Sequence, residues 1–184
     1  GQRLHDLPAV DHLTALVVGL ARSGVAAARL LAPDAIAVDA GAPDVDLPVE
    51  THLGTDGVAL LDRVDLVVKS PGVSREAPVV AEARRRGIPV IGELELAWQR
   101  LGREVVAVTG TNGKTTTVEL LGHIHRLAGV PVVVAGNVGT ALSEVVGTVP
   151  EDGVVVLECS SFQLEDTVEF APDAAVLLNL EADH

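Results

Sequence analysis

The sequence predicts an α/β protein with two successive parallel sheets. Short β-branched segments alternate with Ala- and Leu-rich segments of helical composition along the chain, which is the pattern of parallel strands joined by crossover helices. The strand segments are almost continuously apolar, as expected of strands with both faces covered by helices. Together these observations predict a doubly wound α/β layer followed by a second sheet.

The first series of elements fills the N-terminal half of the chain. In chain order it contains LTALVVG, SGVAAARLLA, AIAVD, DLVVKS, APVVAEARRRG and IPVIG. A polar-amphipathic segment, GELELAWQRLGR, separates it from the second series of elements and predicts a connector helix. We therefore place a first domain at residues 1–92, a connector helix at 93–103 and a second domain at 104–184.

The second series begins at EVVAVTG and continues through TTTVELLGHIHRLAG, VPVVVAG, GVVVLE and AAVLLNL. Its long helix carries Leu120, Ile124, Leu127 and Ala128 on one face. Gly129, followed closely by a proline, is expected to end that helix.

The charge balance argues against a polyanionic partner. The chain carries 13 Lys and Arg against 26 Asp and Glu, a formal net charge of −13, so a broad surface for nucleic acid or an anionic membrane is not expected. One Trp and two Phe are too few for repeated base stacking. Any phosphate ligand must be held locally, by helix N-termini and backbone amides.

The sequence has no feature of a secreted or membrane protein. No apolar stretch approaches the roughly 20 residues that span a bilayer, and the first residues lack a signal-peptide pattern. The single cysteine, Cys159, excludes an intrachain disulfide framework. We expect a soluble, cytosolic protein that acts on small molecules, and we expect a monomer.

A phosphate-binding loop is predicted at Thr109–Thr116, TGTNGKTT. Glycines allow close backbone approach, Lys114 would reach the terminal phosphates and the Thr115 hydroxyl would bind Mg²⁺. Val108 stands where the first glycine of the strict G-x-x-x-x-G-K-T spacing belongs, so this is a shorter variant. The residues predicted to bind the nucleotide are Gly110, Thr111, Asn112, Gly113, Lys114, Thr115 and Thr116.

A first glycine turn, GLARSG at residues 19–24, follows a strand and opens a helix. Asp39 ends the next strand about 20 residues on, as in dinucleotide sites, but Ala21 replaces the middle glycine and disfavours NAD. Arg22 and Ser23 could contact phosphate from the helix start. The alternative is a turn needed only for packing the helix on the sheet.

Two further segments end predicted strands. Ser70-Pro71-Gly72 lies at the carboxyl edge where ligands bind such sheets, although a plain turn is equally compatible. Asn137 stands among glycines and could donate to an anionic substrate or serve the loop alone.

Polar residues also end the last two predicted strands. Glu158 and Ser160 share one side of their strand, with Cys159 on the other. Glu158 is a candidate Mg²⁺ ligand, the alternative being a buried structural Glu, and Cys159 is expected in the core. His184 follows the last strand, where a metal or phosphate role is expected.

Four segments, TGTNGKTTT, GNVG, LECSSFQLE and LNLEADH, together resemble the Mur ligase family, which joins amino acids to UDP-sugar peptides. The resemblance covers essentially the whole chain. It implies a Rossmann-like UDP-binding domain, the first part of a P-loop-type α/β ATPase domain, and a third domain absent from this chain. SSFQLE and the SPG turn are most similar to the branch of the family that adds D-glutamate to UDP-N-acetylmuramoyl-L-alanine.

The resemblance also implies roles for single residues. ATP phosphates would be handled by Lys114, Thr115 and Thr116. Mg²⁺ would lie among Thr115, Glu158 and His184. The catalytic residues would be Lys114, Asn137, Glu158 and His184. The UDP-sugar substrate would meet Arg22, Ser23, Asp39, Ser70, Pro71, Gly72, Asn137, Ser160 and Gln163. Two departures from the family are Ala40-Gly41 after Asp39, and Cys159 in place of an aliphatic residue.

The implied reaction uses ATP to convert the substrate's alanine carboxylate into an acyl phosphate, which the D-glutamate amine attacks. Because the third domain would be missing, we expect the 184-residue chain to be unable to complete ligation alone. Two alternatives are another Mur-type or folylpolyglutamate-type ligase and a non-catalytic UDP-binding module.

Overall fold

The computed structural model describes residues 13–181. The first group of elements is β1 (Ala15–Val18), α1 (Arg22–Leu31), β2 (Ala35–Asp39), β3 (Glu50–Leu53), a 3-10 helix (Val58–Arg63), β4 (Leu66–Lys69), α2 (Pro78–Arg86), β5 (Val90–Gly92) and α3 (Glu93–Leu101). The second group is β6 (Glu104–Thr109), α4 (Lys114–Leu127), β7 (Val132–Gly136), α5 (Leu142–Val145), β8 (Val154–Glu158), α6 (Ser161–Leu164) and β9 (Ala174–Leu177).

The first sheet has five parallel strands in the order β3-β2-β1-β4-β5. Residues 15–18 of β1 and 66–68 of β4 are all buried, as their continuous apolar pattern predicted for strands covered on both faces. The chain runs outward from β1 to β3 and then returns to the other side of β1. The carboxyl ends of β1 and β4 therefore flank a topological switch point, where ligands bind in such sheets.

The second sheet has four parallel strands in the order β7-β8-β6-β9. Strand β6 is central, so the loop after it is flanked by the carboxyl ends of β8 and β9. The two sheets confirm the predicted α/β class.

Helix α4 ends as predicted but packs with a different face. Gly129, at φ 73°, follows its C-terminus. The predicted apolar face is exposed: Leu127 is 76% and Leu120 56% accessible. The helix instead presents Val118 and Gly122 to the sheet, and a Cβ on Gly122 would lie 2.6 Å from Val134 Cγ2. The absence of a side chain at Gly122 allows this close approach.

Helix α3, predicted as a polar connector, is buried on much of its surface. Leu96 packs in the core of the first sheet and Leu94 in that of the second. Two of its carboxylates are also buried: Glu93 is 1% and Glu95 0% accessible. The helix therefore joins the two cores through both apolar and charged side chains.

Those two carboxylates bind backbone N–H groups of the second half of the chain. Glu93 Oε1 accepts a 2.7 Å hydrogen bond from Ser143 N, at the start of α5. Glu95 accepts bonds from the three consecutive amides of residues 168–170 and from Gln99 Nε2. Buried carboxylates are tolerated when such donors replace water.

No helix within residues 13–181 has both the length and the apolar composition to cross a bilayer.

Candidate functional site

The predicted phosphate loop forms a tight turn between β6 and α4. Gly110 has φ 144° and Gly113 φ 86°, conformations that side chains rarely adopt. A Cβ at Gly110 would lie 3.1 Å from Leu178 Cβ and 3.2 Å from Asn179 N, so a side chain there would require these neighbours to shift. Gly113 directly precedes the 14-residue helix α4, whose N-terminal N–H groups and dipole favour an anion.

The Lys114 side chain folds over this loop. Its Nζ donates to Gly110 O at 2.7 Å and to Thr111 O at 3.0 Å. These two carbonyls hold the ammonium group at the mouth of the loop, beside a large cavity that it lines. A cation in this position is suited to a phosphate at the N-terminus of α4.

Asn179 braces the loop, and sequence reasoning missed it. Its Oδ1 accepts from Asn112 N at 2.9 Å and its Nδ2 donates to Asn112 O at 3.1 Å, while Asn179 O accepts from Thr111 N at 3.2 Å. Asn179 belongs to a polar segment immediately after the last strand. Within that segment, the sequence predicted a role for His184 alone. His184 lies outside the residues that the structure describes.

Glu158 joins three segments that the sequence presented separately. Its carboxylate, 2% accessible, accepts from Thr115 Oγ1 at 2.7 Å and from Asn137 Nδ2 at 3.2 Å. The backbone reinforces this, because Asn137 N donates to Glu158 O at 2.9 Å. Gly136, at φ 124°, permits the approach, since a Cβ there would overlap Glu158 O. A hydroxyl, an amide and a carboxylate thus meet beside the phosphate loop.

Of the three expected metal ligands, Thr115 and Glu158 lie within the described residues and contact each other. The third, His184, lies outside them. Within residues 13–181, no three His, Cys, Asp or Glu side chains gather as a ligand set. Thr116, also predicted to bind the nucleotide, is exposed in the first turn of α4.

The segment after β8 contains the only cysteine of the sequence and two candidate substrate residues. Cys159 is fully buried, and burial raises the pKa of its thiol to about 12, as befits the core position predicted for it. Ser160 and Gln163 form a capping box at α6: Gln163 N donates to Ser160 Oγ at 3.3 Å, and Ser160 N donates to Gln163 Oε1 at 3.0 Å. These two candidate substrate residues therefore also fix the local backbone.

In the first half of the chain, Asp39 and Ser70 bind the glycine turn. Asp39 accepts from Leu20 N at 2.6 Å and from Gly41 N at 2.7 Å. Ser70 Oγ donates to Gly19 O at 2.6 Å. The packing alternative also has a physical basis, because a Cβ on the sixth residue of the turn, Gly24, would overlap Gly19 O.

All the predicted substrate residues except Ser160 border one cavity of about 510 Å³ at the carboxyl ends of β1, β2 and β4. Its volume is that of a small-ligand site. The candidates on its wall are Arg22, Ser23, Asp39, Ser70, Pro71, Gly72, Asn137 and Gln163.

A second cavity, of about 1440 Å³, continues from the first toward the phosphate loop. Its lining includes Gly110, Thr111 and Lys114 of the loop and Ser160 of the segment after β8. The two cavities share Pro71, Gly72, Val73 and Asn137 as a common wall.

The Arg22 side chain, from the first half of the chain, contacts the second half at this shared wall. Its guanidinium donates to Asn137 O at 2.9 Å. The arrangement can hold one ligand in the first cavity and bring its far end to a phosphate at α4.

Two family models match the chain. Residues 13–92 match the Mur ligase MurD-like N-terminal domain, and residues 108–184 match the Mur ligase middle domain.

Two curated relatives illustrate the similarity to whole proteins. A UDP-N-acetylmuramoylalanine–D-glutamate ligase of Solibacter usitatus is 45% identical over 176 residues, with 92% of this chain and 40% of the relative covered. The same-named protein of Rubrobacter xylanophilus is 47% identical over 179 residues, with 92% and 41% covered. The chain thus spans about two fifths of the length of these relatives.

Solved structures share the fold. The UDP-N-acetylmuramate:L-alanyl-gamma-D-glutamyl-meso-diaminopimelate ligase of Neisseria meningitides has a TM-score of 0.58 at 23% identity, covering 92% of this chain and 61% of that one. The UDP-N-acetylmuramate-alanine ligase of Thermotoga maritima has a TM-score of 0.57 at 24% identity, covering 94% and 43%. At such identity the likeness concerns the fold alone.

Proposed function

The chain belongs to the Mur ligase family, and from that premise we propose that it supplies the UDP-substrate and ATP sites of a ligase adding D-glutamate to UDP-N-acetylmuramoyl-L-alanine. The observation that carries the proposal is the pair of cavities sharing one wall, with the phosphate loop at the far side of the second. The relatives' common name, at 45–47% identity, supports the choice of amino acid and substrate.

The UDP group is proposed to bind in the smaller cavity. Arg22 and the N-terminus of α1 offer positive charge for a diphosphate. Asp39 and Ser70 are already bonded to backbone groups, so they shape the turn, while the remaining carboxylate lone pairs of Asp39 can accept from a ligand hydroxyl. Ser23, Pro71 and Gly72 complete the wall.

ATP and Mg²⁺ are proposed to bind at the loop before α4. The residues fit, because the glycine-lined turn, the Lys114 ammonium and the α4 N-terminus are complementary to phosphate. The Thr115 hydroxyl and the Glu158 carboxylate are oxygen ligands of the kind that Mg²⁺ prefers, and we propose that His184 joins them. When bound, Mg²⁺ would neutralise charge on the phosphates during transfer.

The proposed reaction has two covalent steps. An oxygen of the alanine carboxylate bonds to the γ-phosphorus of ATP as the bond to the ADP oxygen breaks, giving an acyl phosphate. The D-glutamate amine then bonds to the acyl carbon, phosphate leaves and the nitrogen loses a proton. Lys114 would exchange its loop carbonyls for phosphate oxygens, and Asn137 would orient the substrate, so positioning and charge neutralisation carry the rate.

Three further proposals concern catalytic completeness, location in the cell and oligomeric state. The 184-residue chain alone is proposed not to complete ligation, because no segment in it corresponds to the remaining three fifths of its relatives. The protein is proposed to be cytoplasmic and monomeric.

Calorimetry of the 184-residue chain tests the proposed sites. We expect UDP-N-acetylmuramoyl-L-alanine and Mg-ATP each to bind, and NAD not to bind. Tight NAD binding would instead make the first cavity a dinucleotide site. A loss of preference for the L-alanine form over the form without alanine would favour another ligase of the family.

A turnover assay with UDP-N-acetylmuramoyl-L-alanine, ATP, Mg²⁺ and D-glutamate tests the proposed incompleteness. Phosphate release together with ligated product from the 184-residue chain would show that it is competent alone.

A further inference from the structure

A buried ion pair joins the first sheet to the segment after α6. Lys69 Nζ lies 2.7 Å from Asp166 Oδ2, and each side chain is only 3% accessible. Lys69 is the last residue of β4. Neither residue belongs to the phosphate loop or to the candidate substrate set.

The Lys69 ammonium also binds the turn after β4. It donates to Val73 O at 2.7 Å and to Ser70 O at 3.3 Å. With Asp166, these carbonyls give each of its three protons an acceptor. Three residues of this turn, Pro71, Gly72 and Val73, line both cavities, so the conformation of this part of the shared wall depends on Lys69.

Asp166 lies just beyond α6 and also contacts the end of β5. Its backbone carbonyl accepts from Gly92 N at 2.8 Å, and a Cβ on Gly92 would lie only 3.1 Å from Asp166 Cβ. Asp166 Oδ1 accepts no hydrogen bond within residues 13–181, and two cations stand near it, Arg75 Nε at 3.8 Å and Arg84 at 3.9 Å. Asp166 is therefore surrounded by cations. It lies at the end of the segment that contributes Ser160 and Gln163 to the cavity walls.

Burial of such a pair is weak evidence of a stabilising role, since desolvation offsets much of the attraction between the charges. Apolar side chains of similar volume would fill the same space. They could not bind the carbonyls of the turn 70–73. The directional bonds of Lys69 are thus what this pair supplies beyond packing.

We propose that Lys69 and Asp166 are positioning residues that set the turn 70–73 against the α6 segment, and so align the UDP-sugar substrate between its cavity and the phosphate loop. This rests on the proposed function for the identity of the substrate. The claim about the turn itself concerns the ligand-free protein.

The discriminating variants are Lys69→Met, Asp166→Asn and the double variant Lys69→Met/Asp166→Leu. Asp166→Asn leaves the buried Lys69 ammonium without a carboxylate, and Lys69→Met leaves Asp166 with only the more distant Arg75 and Arg84, so both are expected to lower Tm. The double variant removes both charges and is expected to recover most of that loss. It does not restore the bonds to Ser70 O and Val73 O.

Amide hydrogen exchange is the readout that needs no ligand. In the double variant, peptides covering the turn 70–73 are expected to exchange faster on the order of ten-fold, while residues 114–127 of α4 keep their protection. The matched control is Arg85→Met, which removes an exposed ion pair with Glu82. Unchanged exchange of the turn in a double variant with recovered Tm would overturn the proposal, whatever the protein binds.

Calorimetry supplies the functional readout. The double variant is expected to bind UDP-N-acetylmuramoyl-L-alanine about ten-fold more weakly, with Mg-ATP affinity within about two-fold of the unmodified chain. Equal weakening of both ligands, or full recovery of substrate affinity with Tm, would make the pair structural only and overturn the inference. If the unmodified chain binds no UDP ligand, the proposed function fails, and hydrogen exchange still decides the role of the pair.

Discussion

The hydroxyl of Thr115 donates a 2.7 Å hydrogen bond to Glu158 Oε2, which ties the first turn of α4 to the carboxyl end of β8. The other oxygen of the same carboxylate accepts from Asn137 Nδ2 at 3.2 Å. One buried carboxylate therefore organises residues proposed to meet metal, nucleotide and substrate.

Glu158→Gln tests the proposed metal role. Gln keeps an acceptor for Thr115 but removes the negative charge that holds a divalent cation, so we expect Mg-ATP affinity to fall about ten-fold or more. Calorimetry with and without Mg²⁺ measures this, and binding of metal-free ATP should change little. Glu151→Gln, at an exposed position before β8, is the control. Equal loss with and without Mg²⁺ would argue against a metal ligand.

Lys114→Met tests the phosphate loop. The change preserves the length of the side chain and removes the ammonium group, so ATP affinity should fall roughly ten- to a hundred-fold. The circular dichroism spectrum should stay the same. Arg126→Met removes an exposed cation at the other end of α4 and should leave binding intact. A similar loss in both variants would indicate a general charge effect.

Asn179→Ala tests the brace that sequence reasoning missed. Removing the reciprocal amide bonds to Asn112 frees the loop without touching Lys114, so we expect weaker ATP binding by about five- to ten-fold. Faster amide exchange should be confined to residues 110–113. Leu127→Ala, at the other end of α4 and 76% accessible, is the matched control. Unaltered ATP affinity in Asn179→Ala would show that the loop holds its shape unaided.

Glu93→Gln tests how much the buried Glu93 carboxylate lowers the free energy of unfolding at neutral pH. Burial raises the pKa of Glu93 above its ordinary value, so the stability that this group contributes is present at low pH and is lost as pH rises through the folded-state pKa. Gln stays neutral and can still accept from Ser143 N. We expect the free energy of unfolding at pH 7 to exceed that of the unmodified chain, with the difference shrinking toward pH 4.

Glu95→Gln, two residues further along α3, supplies the opposite expectation. Three consecutive backbone N–H groups converge on its carboxylate, and an amide offers only one acceptor oxygen. The loss should be about 2 kcal/mol of unfolding free energy at pH 7. Denaturant titrations measure both variants. If the Glu93→Gln variant were less stable than the unmodified chain by the same amount at pH 7 and at pH 4, that result would contradict the argument from burial of Glu93.

Cys159 should be chemically silent in the folded protein. Its thiol is fully buried, with a pKa raised to about 12, so an aromatic disulfide reagent at pH 8 should react only after unfolding. Because the folded-state pKa exceeds the unfolded value, stability should also fall as pH rises between about 9 and 12. Cys159→Ala should lack that contribution. Rapid labelling of the native chain would contradict the burial of this residue.

Several features were predictable because they depend on neighbours in sequence. The parallel α/β class followed from apolar strands alternating with helical segments. The glycine turn before Lys114 and the end of α4 at Gly129 followed from the backbone freedom of glycine. Strand ends also marked Asn137 and Glu158 as candidates, since parallel strands present their carboxyl ends at one edge of a sheet.

Other features could not be predicted, because they depend on distant parts of the chain. The apolar face of α4 that contains Leu127 is exposed, while the sheet contacts Gly122, whose missing side chain allows close approach. Glu95 is buried although its position is typical of a polar helix surface, because the amides of residues 168–170 converge on it. No spacing rule finds such a partner.

The sequence by itself determined the α/β class, the glycine turn before Lys114 and the polar residues at the strand ends, because glycine conformation and hydrophobic periodicity are local properties. Only the tertiary structure decided that Thr115, Asn137 and Glu158 meet, that Asn179 braces the loop and that Lys69 pairs with Asp166. The physical reason is that a charged or polar group can be buried wherever folding brings it a hydrogen-bonding partner, and that partner is chosen by the packing of the two sheets.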